Sequence, residues 1–305
     1  MSIQWKGVMP ALTTQFTAND ELDLKLFKTN IKAQLNAGVK GLVLGGTLGE
    51  ASTLTNKEKR ILTTQAVAYV QGSVPIIINI AQQTTKQAIQ EAKTAQQDGA
   101  TGLMMLPPMR YKASNTEILE YFKTVAKSTT LPIMIYNNPI DYNLEVTLDM
   151  FEQLLTECPN IQAVKESTRD TTNITRIKNR FRDRLAIMTG VDTLALESLV
   201  LGADGWIAGL VDAFPAETVA IYKLVKAGQI QEAIKIYRWF MPLLELDIHP
   251  KLVQYIKLAS VHTNIGAEYV RAPRLTLKGE ERERVENIIT TALATRPTLP
   301  NYKNL

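Results

Sequence analysis

The feature that most constrains the fold is a regular alternation of short apolar segments with longer amphipathic ones. Each apolar segment is a continuous run, which is typical of strands buried on both faces of a parallel sheet. The stretches between them have a helix-forming composition, and several end in glycine, the usual residue just past a helix C-terminus. The eight apolar segments are GVMPALTT (7–14), GLVLGG (41–46), VPIIINI (74–80), GLMMLPP (102–108), LPIMIYN (131–137), IQAVK (161–165), LAIMTG (185–190) and GWIAGL (205–210).

The number of these units favours a closed barrel over an open sheet. Eight strands that alternate with helices predict an α/β fold of the (β/α)8 TIM barrel type. An open doubly wound sheet is the alternative, but no G-x-G-x-x-G motif follows the first segment, which weakens its dinucleotide-binding version. After residue 216 the pattern is helical only. We therefore predict a barrel over residues 1–216 and a C-terminal helical extension over 217–305, packed on the barrel and not an independent domain.

Charge and cysteine content argue against several classes of protein. The formal net charge is +4, but the lysines and arginines are scattered among acids, so no nucleic-acid partner is expected. The single cysteine, Cys158, cannot form an internal disulfide and fits a reducing compartment. No apolar run approaches the ~18 residues of a membrane helix, and the N-terminus lacks a secretory-signal pattern. We expect a cytoplasmic protein with no membrane partner.

Lys165 is the most informative candidate at the strand ends, where the active site of such a barrel lies. The apolar segment IQAV runs directly into this lysine. Burial disfavours an ammonium group, and a neutral amine can attack a carbonyl to form a Schiff base. The alternative is a lysine that snorkels out of the barrel or pairs with Glu166. Tyr136, at the end of the preceding strand, favours the first interpretation, because a tyrosine can relay protons with a hydroxyl partner such as Thr47.

The remaining motifs give weaker signals. The loop GGTLGE could present backbone N–H groups to an anion, but it lacks the G-K-[ST] ending of a nucleotide-binding P-loop. His249 and His262 lie in the helical extension with no strand-end nucleophile beside them, so structural roles are expected. Met104, Met105 and Met109 are expected to fill the core or line a pocket. No residues have metal-ligand spacing, and no cofactor is predicted.

GGTLGEASTLT, YNNP and KEST, in this order and at these strand ends, resemble the dihydrodipicolinate synthase and N-acetylneuraminate lyase family. The resemblance runs over nearly the whole chain. It implies a (β/α)8 barrel with a helical extension, commonly a homotetramer, that binds pyruvate or a related 2-oxo acid as a Schiff base. It implies that Lys165 forms the imine, Tyr136 shuttles protons and Thr47 relays them. The substrate-binding residues it implies are Gly46, Leu48, Asn138, Gly190 and Ile207.

Three positions depart from the pattern of the synthases. Their strand-two motif usually reads G-T-T-G-E, whereas Leu48 replaces the second hydroxyl here and Glu50 ends the motif. Their strand-five loop carries an arginine for a carboxylate where this chain has Asp141, which would repel one. Their relay tyrosine after strand four has only Tyr111, shifted in register, as its counterpart. These differences argue against condensation of pyruvate with aspartate semialdehyde. The neuraminate lyases differ as well, because their strand-five motif begins with two tyrosines.

The segments RWFMPLLELDIHPKLVQYIKLA and VRAPRL resemble a subgroup linked to hydroxyproline breakdown. Its members deaminate 1-pyrroline-4-hydroxy-2-carboxylate, a cyclic 2-imino acid, and we predict this deaminase activity. The alternatives in the same family are a 4-hydroxy-tetrahydrodipicolinate synthase and a pyruvate-dependent aldolase. Two other classes, a non-catalytic barrel that senses a small acid and a phosphate-handling barrel, are disfavoured by the presence of Lys165 and by the glycine-poor segment MTGVDTL.

Overall fold

The computed structural model describes residues 3–108 and 111–305. Within these ranges, eight parallel strands form one sheet in the order β1-β8-β7-β6-β5-β4-β3-β2. A parallel bridge between Ala11 and Val43, with Leu12 N donating to Val43 O at 2.9 Å, joins β1 to β2 and closes the sheet. The predicted TIM barrel is confirmed. The strands are β1 (Gly7–Pro10), β2 (Leu42–Leu44), β3 (Ile76–Ile80), β4 (Gly102–Met105), β5 (Ile133–Asn137), β6 (Ile161–Glu166), β7 (Ala186–Thr189) and β8 (Gly205–Ala208).

Each strand lies inside its predicted segment or, for β6, one residue beyond it. Every residue of β3 and of β4 is buried, as expected for strands covered by helices outside and by side chains inside. The continuous apolar runs of the sequence therefore reflect burial on both faces.

Helices follow the strands and cover the outside of the barrel. Two of them begin with reciprocal capping boxes, Thr55 with Glu58 and Ser114 with Glu117, which satisfy backbone N–H groups at the helix start. The helices are α1 (Leu24–Ala37), α2 (Asn56–Val70), α3 (Thr85–Gln97), α4 (Asn115–Lys127), α5 (Pro139–Tyr142), α6 (Leu148–Glu157), α7 (Thr172–Phe181), α8 (Ala195–Val200), α9 (Pro215–Lys226), α10 (Ile230–Leu244), α11 (Leu252–His262) and α12 (Gly279–Ala294).

The predicted boundary at residue 216 falls at the start of α9. This helix packs against β1, β8 and α1, and so completes the outer layer of the barrel. Helices α10 to α12 follow it. A 3₁₀ turn, Glu245–Ile248, leads from α10 toward α11 and reaches the mouth of the barrel. That residues 217–305 are an extension without independent folding stays a prediction. It is supported by an ion pair between Lys257 of α11 and Glu50 of the barrel, in which both side chains are fully buried.

No helix in the described ranges has both the length and the apolar character that crossing a bilayer requires.

Candidate active site

The carboxyl ends of the strands enclose a cavity of about 570 Å³. It lies where the barrel topology predicts an active site. One side of it is covered by the C-terminal extension, through residues 247–250 and Leu252. The residues proposed from the sequence that line the cavity are Gly46, Thr47, Leu48, Tyr136, Asn138, Asp141, Lys165, Gly190 and Ile207.

Lys165 lies inside this cavity and is only 7 % exposed. Burial lowers the pKa of its amine, although the nearby Tyr142, Asp247 and Asp192 act in the opposite direction. The alternative pairing with Glu166 is absent from the described structure. The Glu166 carboxylate accepts hydrogen bonds from Thr168 N at 2.8 Å and Asn173 Nδ2 at 3.0 Å instead. The lysine amine is therefore directed to the cavity.

Strand register places Tyr136 beside Lys165. The two residues are paired across β5 and β6, and the lysine Nζ lies 4.0 Å from the centroid of the tyrosine ring. Burial raises the pKa of Tyr136 to about 12, so its hydroxyl is protonated at neutral pH and can donate a proton. The pair therefore places an amine of lowered basicity over the ring of a tyrosine whose hydroxyl can donate a proton, an arrangement suited to imine formation.

Gly190 leaves room for the lysine side chain. A Cβ at this position would lie 2.5 Å from Lys165 Cε and closer still to Ser167 Oγ. Gly190 was proposed from the sequence as a substrate-binding residue, and that role stays a prediction. The structure gives it a steric reason to be glycine.

Asp141 lies at the cavity wall in a small polar network. Asn138 Nδ2 donates to Tyr136 OH at 3.2 Å and to Asp141 Oδ2 at 2.7 Å. Asp141 also pairs with Arg169, at 3.4 Å. Sequence reasoning missed Arg169, which follows the strand-six motif by one residue and also lines the cavity. The aspartate is therefore partly neutralised, but it remains where the synthase pattern has an arginine.

Tyr142 is the second residue that sequence reasoning missed. Its hydroxyl lies 3.2 Å from Thr47 Oγ1, and its ring packs edge-on against Tyr136 with centroids 5.6 Å apart. Asn138 caps the one-turn helix α5 and Pro139 begins it, which returns the chain so that Tyr142 faces the cavity. The motif Asn-Pro followed three residues later by tyrosine was the available signal.

Tyr111, the relay tyrosine proposed from the sequence, lies elsewhere. It is 54 % exposed and is not among the described residues that line the cavity. Its role in a relay stays a prediction. Met104 lines the cavity and Met105 is buried in the core, whereas Met109 lies outside the described residues.

Glu50 is turned away from the cavity and anchors the glycine-rich loop. Its carboxylate accepts from Lys257 Nζ at 2.6 Å and from Arg271 N at 3.0 Å. Its backbone is left-handed, with φ +51°, which is uncommon outside glycine and is held here by these contacts. The loop that carries Thr47 is thus tied to the C-terminal extension.

His249, for which a structural role was expected, stacks on Tyr255 with ring centroids 4.5 Å apart and also lines the cavity. Across the two described ranges, no group of three or more histidine, cysteine or acidic side chains could hold a metal ion.

The model of the dihydrodipicolinate synthetase family matches residues 4–292 of the chain. A curated relative, the 4-hydroxy-tetrahydrodipicolinate synthase of Exiguobacterium sibiricum, is 35 % identical over 276 residues, which cover 90 % of this chain and 92 % of the relative.

Solved structures show the same similarity. The dihydrodipicolinate synthase of Bacillus anthracis superimposes with a TM-score of 0.90 at 27 % identity, covering 95 % of this chain and 99 % of that one. A prophage protein of the dihydrodipicolinic acid synthase family from E. coli K12, solved in complex with pyruvate, gives a TM-score of 0.89 at 25 % identity, covering 94 % and 98 %.

Proposed function

The chain belongs to the dihydrodipicolinate synthetase family and is a lyase of that family, and from this premise we propose that it holds a 2-oxo or cyclic 2-imino acid as a Schiff base on Lys165. The observation that carries the proposal is the buried lysine amine 4.0 Å from the centroid of the Tyr136 ring, inside a cavity at the strand ends. A solved relative is in complex with pyruvate, which supports a 2-oxo acid as the ligand class. The lysine supplies the covalent chemistry, so the proposal requires no cofactor.

The cavity offers a role for each hydroxyl around the lysine. The amine attacks the C2 carbonyl, and the resulting carbinolamine must gain a proton on oxygen before water leaves. Tyr136 is placed to give that proton, and Tyr142 with Thr47 provides a hydroxyl pair through which it can be replaced. The loop 46–48 is the proposed site for the substrate carboxylate, with backbone N–H groups in place of the hydroxyl that Leu48 lacks.

The names of the relatives favour condensation as the reaction. The curated relatives that match most of the chain carry the name 4-hydroxy-tetrahydrodipicolinate synthase. They support this alternative better than the deaminase predicted from the sequence. In such a condensation the Lys165-bound enamine of pyruvate would add to the carbonyl carbon of an aldehyde.

The charges in the cavity favour the deaminase as a second candidate. Asp141 lines the cavity, and the guanidinium of Arg169 is already paired with it and so is not free for a substrate carboxylate. A second substrate carboxylate would meet repulsion at this wall. The cyclic imine 1-pyrroline-4-hydroxy-2-carboxylate carries only one carboxylate, which the loop 46–48 could bind.

A substrate panel separates the two reactions. Purified protein is incubated with pyruvate plus aspartate semialdehyde, with 1-pyrroline-4-hydroxy-2-carboxylate, or with a 4-hydroxy-2-oxo acid, and the consumption or release of pyruvate and the release of ammonia are followed. Pyruvate consumed only with the semialdehyde identifies the synthase, and ammonia released from the pyrroline identifies the deaminase. Pyruvate released from a 4-hydroxy-2-oxo acid would identify an aldolase instead. A protein that forms no borohydride-stable pyruvate adduct would contradict the Schiff-base proposal itself.

Replacement of Tyr142 by phenylalanine should slow imine formation by about 10²-fold, the usual contribution of a positioned proton donor or acceptor. The substitution keeps the ring that packs on Tyr136 and removes only the hydroxyl that contacts Thr47. The rate of borohydride trapping of pyruvate measures the effect. Tyr111→Phe is the matched comparison and should have a much smaller effect, because Tyr111 is exposed outside the cavity. A larger loss of rate in Tyr111→Phe than in Tyr142→Phe would show that Tyr142 is not the relay residue.

A further inference from the structure

Asp247 brings a carboxylate from the C-terminal extension into the cavity of the barrel. It belongs to the 3₁₀ turn Glu245–Ile248 and lines the same cavity as Lys165. Its side chain lies over the end of β8, where a Cβ on Gly209 would come within 2.7 Å of Asp247 Cγ. Only glycine at position 209 leaves space for the carboxylate in this place.

Two other acidic groups near the cavity, Asp192 and Asp141, have partners within the protein. Asp192 accepts from Trp206 Nε1 at 2.8 Å and from Leu210 N at 2.9 Å. Asp141 accepts a hydrogen bond from Asn138 and forms an ion pair with Arg169. Among the described residues, no donor forms a hydrogen bond or ion pair with the Asp247 carboxylate. The carboxylate is half-buried at the cavity wall, where a polar group of a ligand can replace water as its partner.

Ser167 gives a second sign of a polar ligand. Its hydroxyl is buried, lines the cavity and has no hydrogen-bond partner among the described residues. Asp247 and Ser167 therefore both present hydrogen-bonding capacity that the described protein groups leave unused.

Asp247 is suited to hold a proton. Burial raises the pKa of its carboxyl well above the usual value, and the neighbouring carboxylate of Asp192 raises it further. Lys165 acts in the opposite direction, and Asp212 and Asp141 add to the increase. A protonated carboxyl group beside an imine-forming lysine is a potential general acid.

The barrel order places Asp247 and Tyr136 on different sides of Lys165. Tyr136 is on β5, next to the lysine strand β6, whereas Gly209 follows β8, two strands from β6 in the other direction. Tyr136 and its relay can transfer protons at the imine carbon, while Asp247 can transfer a proton at a more distal part of the same substrate.

We propose that Asp247 is a further catalytic residue, which binds the oxygen on carbon 4 of the Lys165-bound substrate and gives that oxygen its proton. The inference rests on the proposed Schiff base. It applies to either candidate reaction, because the condensation product and the cyclic imine both carry a hydroxyl on carbon 4.

With Asp247 as the proton donor, the bonds formed and broken and the proton transferred balance in both reactions. In condensation, the enamine electron pair forms the C3–C4 bond, the C4=O π pair moves to oxygen, and that oxygen takes the proton from Asp247. In deamination, loss of the C3 proton gives the enamine. The C4–O bond then breaks as C3=C4 forms, and the oxygen leaves as water with the proton from Asp247. The nitrogen lone pair regenerates the iminium in each case.

The test compares Asp247→Asn with Glu245→Gln, an exposed acid in the same turn that serves as the control. Three quantities are measured: borohydride trapping of pyruvate, exchange of the pyruvate C3 protons in deuterium oxide by NMR, and kcat and KM on the active substrate of the panel. Trapping and exchange require only the imine and enamine. Turnover also requires the oxygen on carbon 4.

We expect Asp247→Asn to trap and exchange pyruvate at nearly the wild-type rate while kcat falls by about 10²-fold with little change in KM. Glu245→Gln should behave as wild type in all three measurements. Parallel loss of trapping, exchange and turnover in Asp247→Asn would show a merely structural role and overturn the proposal, as would unchanged kcat. If the wild-type protein itself traps no pyruvate, the proposed Schiff base fails, and that result is distinct from a failure of Asp247 alone.

Discussion

Replacement of Lys165 by methionine is expected to abolish the borohydride-stable adduct and to lower turnover by more than about 10³-fold, because no covalent intermediate can form without the amine. Methionine preserves the length and apolar packing of a side chain that is only 7 % exposed. The fold should therefore be retained, which circular dichroism and thermal unfolding can verify. Mass spectrometry of trapped protein and steady-state kinetics give the two readouts.

The protein contains its own control for this experiment. Lys257 is a second buried lysine, but its amine donates to Glu50 Oε1 and to Tyr269 O, each at 2.6 Å. Peptide mapping of the wild-type adduct should find the modification on Lys165 and not on Lys257. An exposed-lysine variant, Lys235→Met, should trap pyruvate as wild type does. A Lys165→Met protein with a normal yield of adduct would contradict the assignment.

The pH dependence of trapping follows from the same burial. The neutral amine is the nucleophile, so the rate at low pyruvate rises as pH passes through the pKa of Lys165. Because burial lowers that pKa from 10.5, the rate should reach its plateau at a lower pH than with a solvent-exposed lysine. A profile that still rises steeply above pH 10.5 would indicate an unperturbed amine.

The barrel and the central pair of its site were predictable because both follow from topology. Strands buried on two faces must be continuous apolar runs, and in a barrel their carboxyl ends converge. Lys165 and Tyr136, which end neighbouring strands, therefore had to meet. Glu166 has its own partners because successive strand residues point to opposite sides.

The residues that sequence reasoning missed all depend on the path of a loop. Tyr142 reaches Thr47 only because a one-turn helix follows Asn138, and Arg169 meets Asp141 because two adjacent strand-end loops approach each other. Asp247 enters the cavity through a turn between two helices of the extension. Helical periodicity gives no information on where such a turn points. For the same reason, the pattern could not show that α9 is the helix that completes the outer layer of the barrel.

Replacement of Lys257 by methionine should lower the free energy of unfolding by about 3–5 kcal/mol, the usual cost of breaking a buried ion pair by removing one partner. The remaining partners of Glu50 are the backbone N–H of Arg271 at 3.0 Å and the Arg274 guanidinium at 3.8 Å. Domains of ordinary stability have only about 5–15 kcal/mol in total, so the loss is large. Urea unfolding measures this loss of stability. The dependence of the free energy of unfolding on urea concentration is compared between the variants.

The double variant Glu50→Gln/Lys257→Met distinguishes a lost charge pair from a simple packing defect. It removes both charges, so it should recover part of the stability lost in Lys257→Met. Glu50 ends the loop that carries Thr47, whereas Lys257 belongs to the extension. The single variant should therefore also weaken pyruvate retention, measured as the concentration needed for half-maximal trapping. A Lys257→Met protein with wild-type stability and wild-type trapping would show that the buried pair does not hold the loop in place.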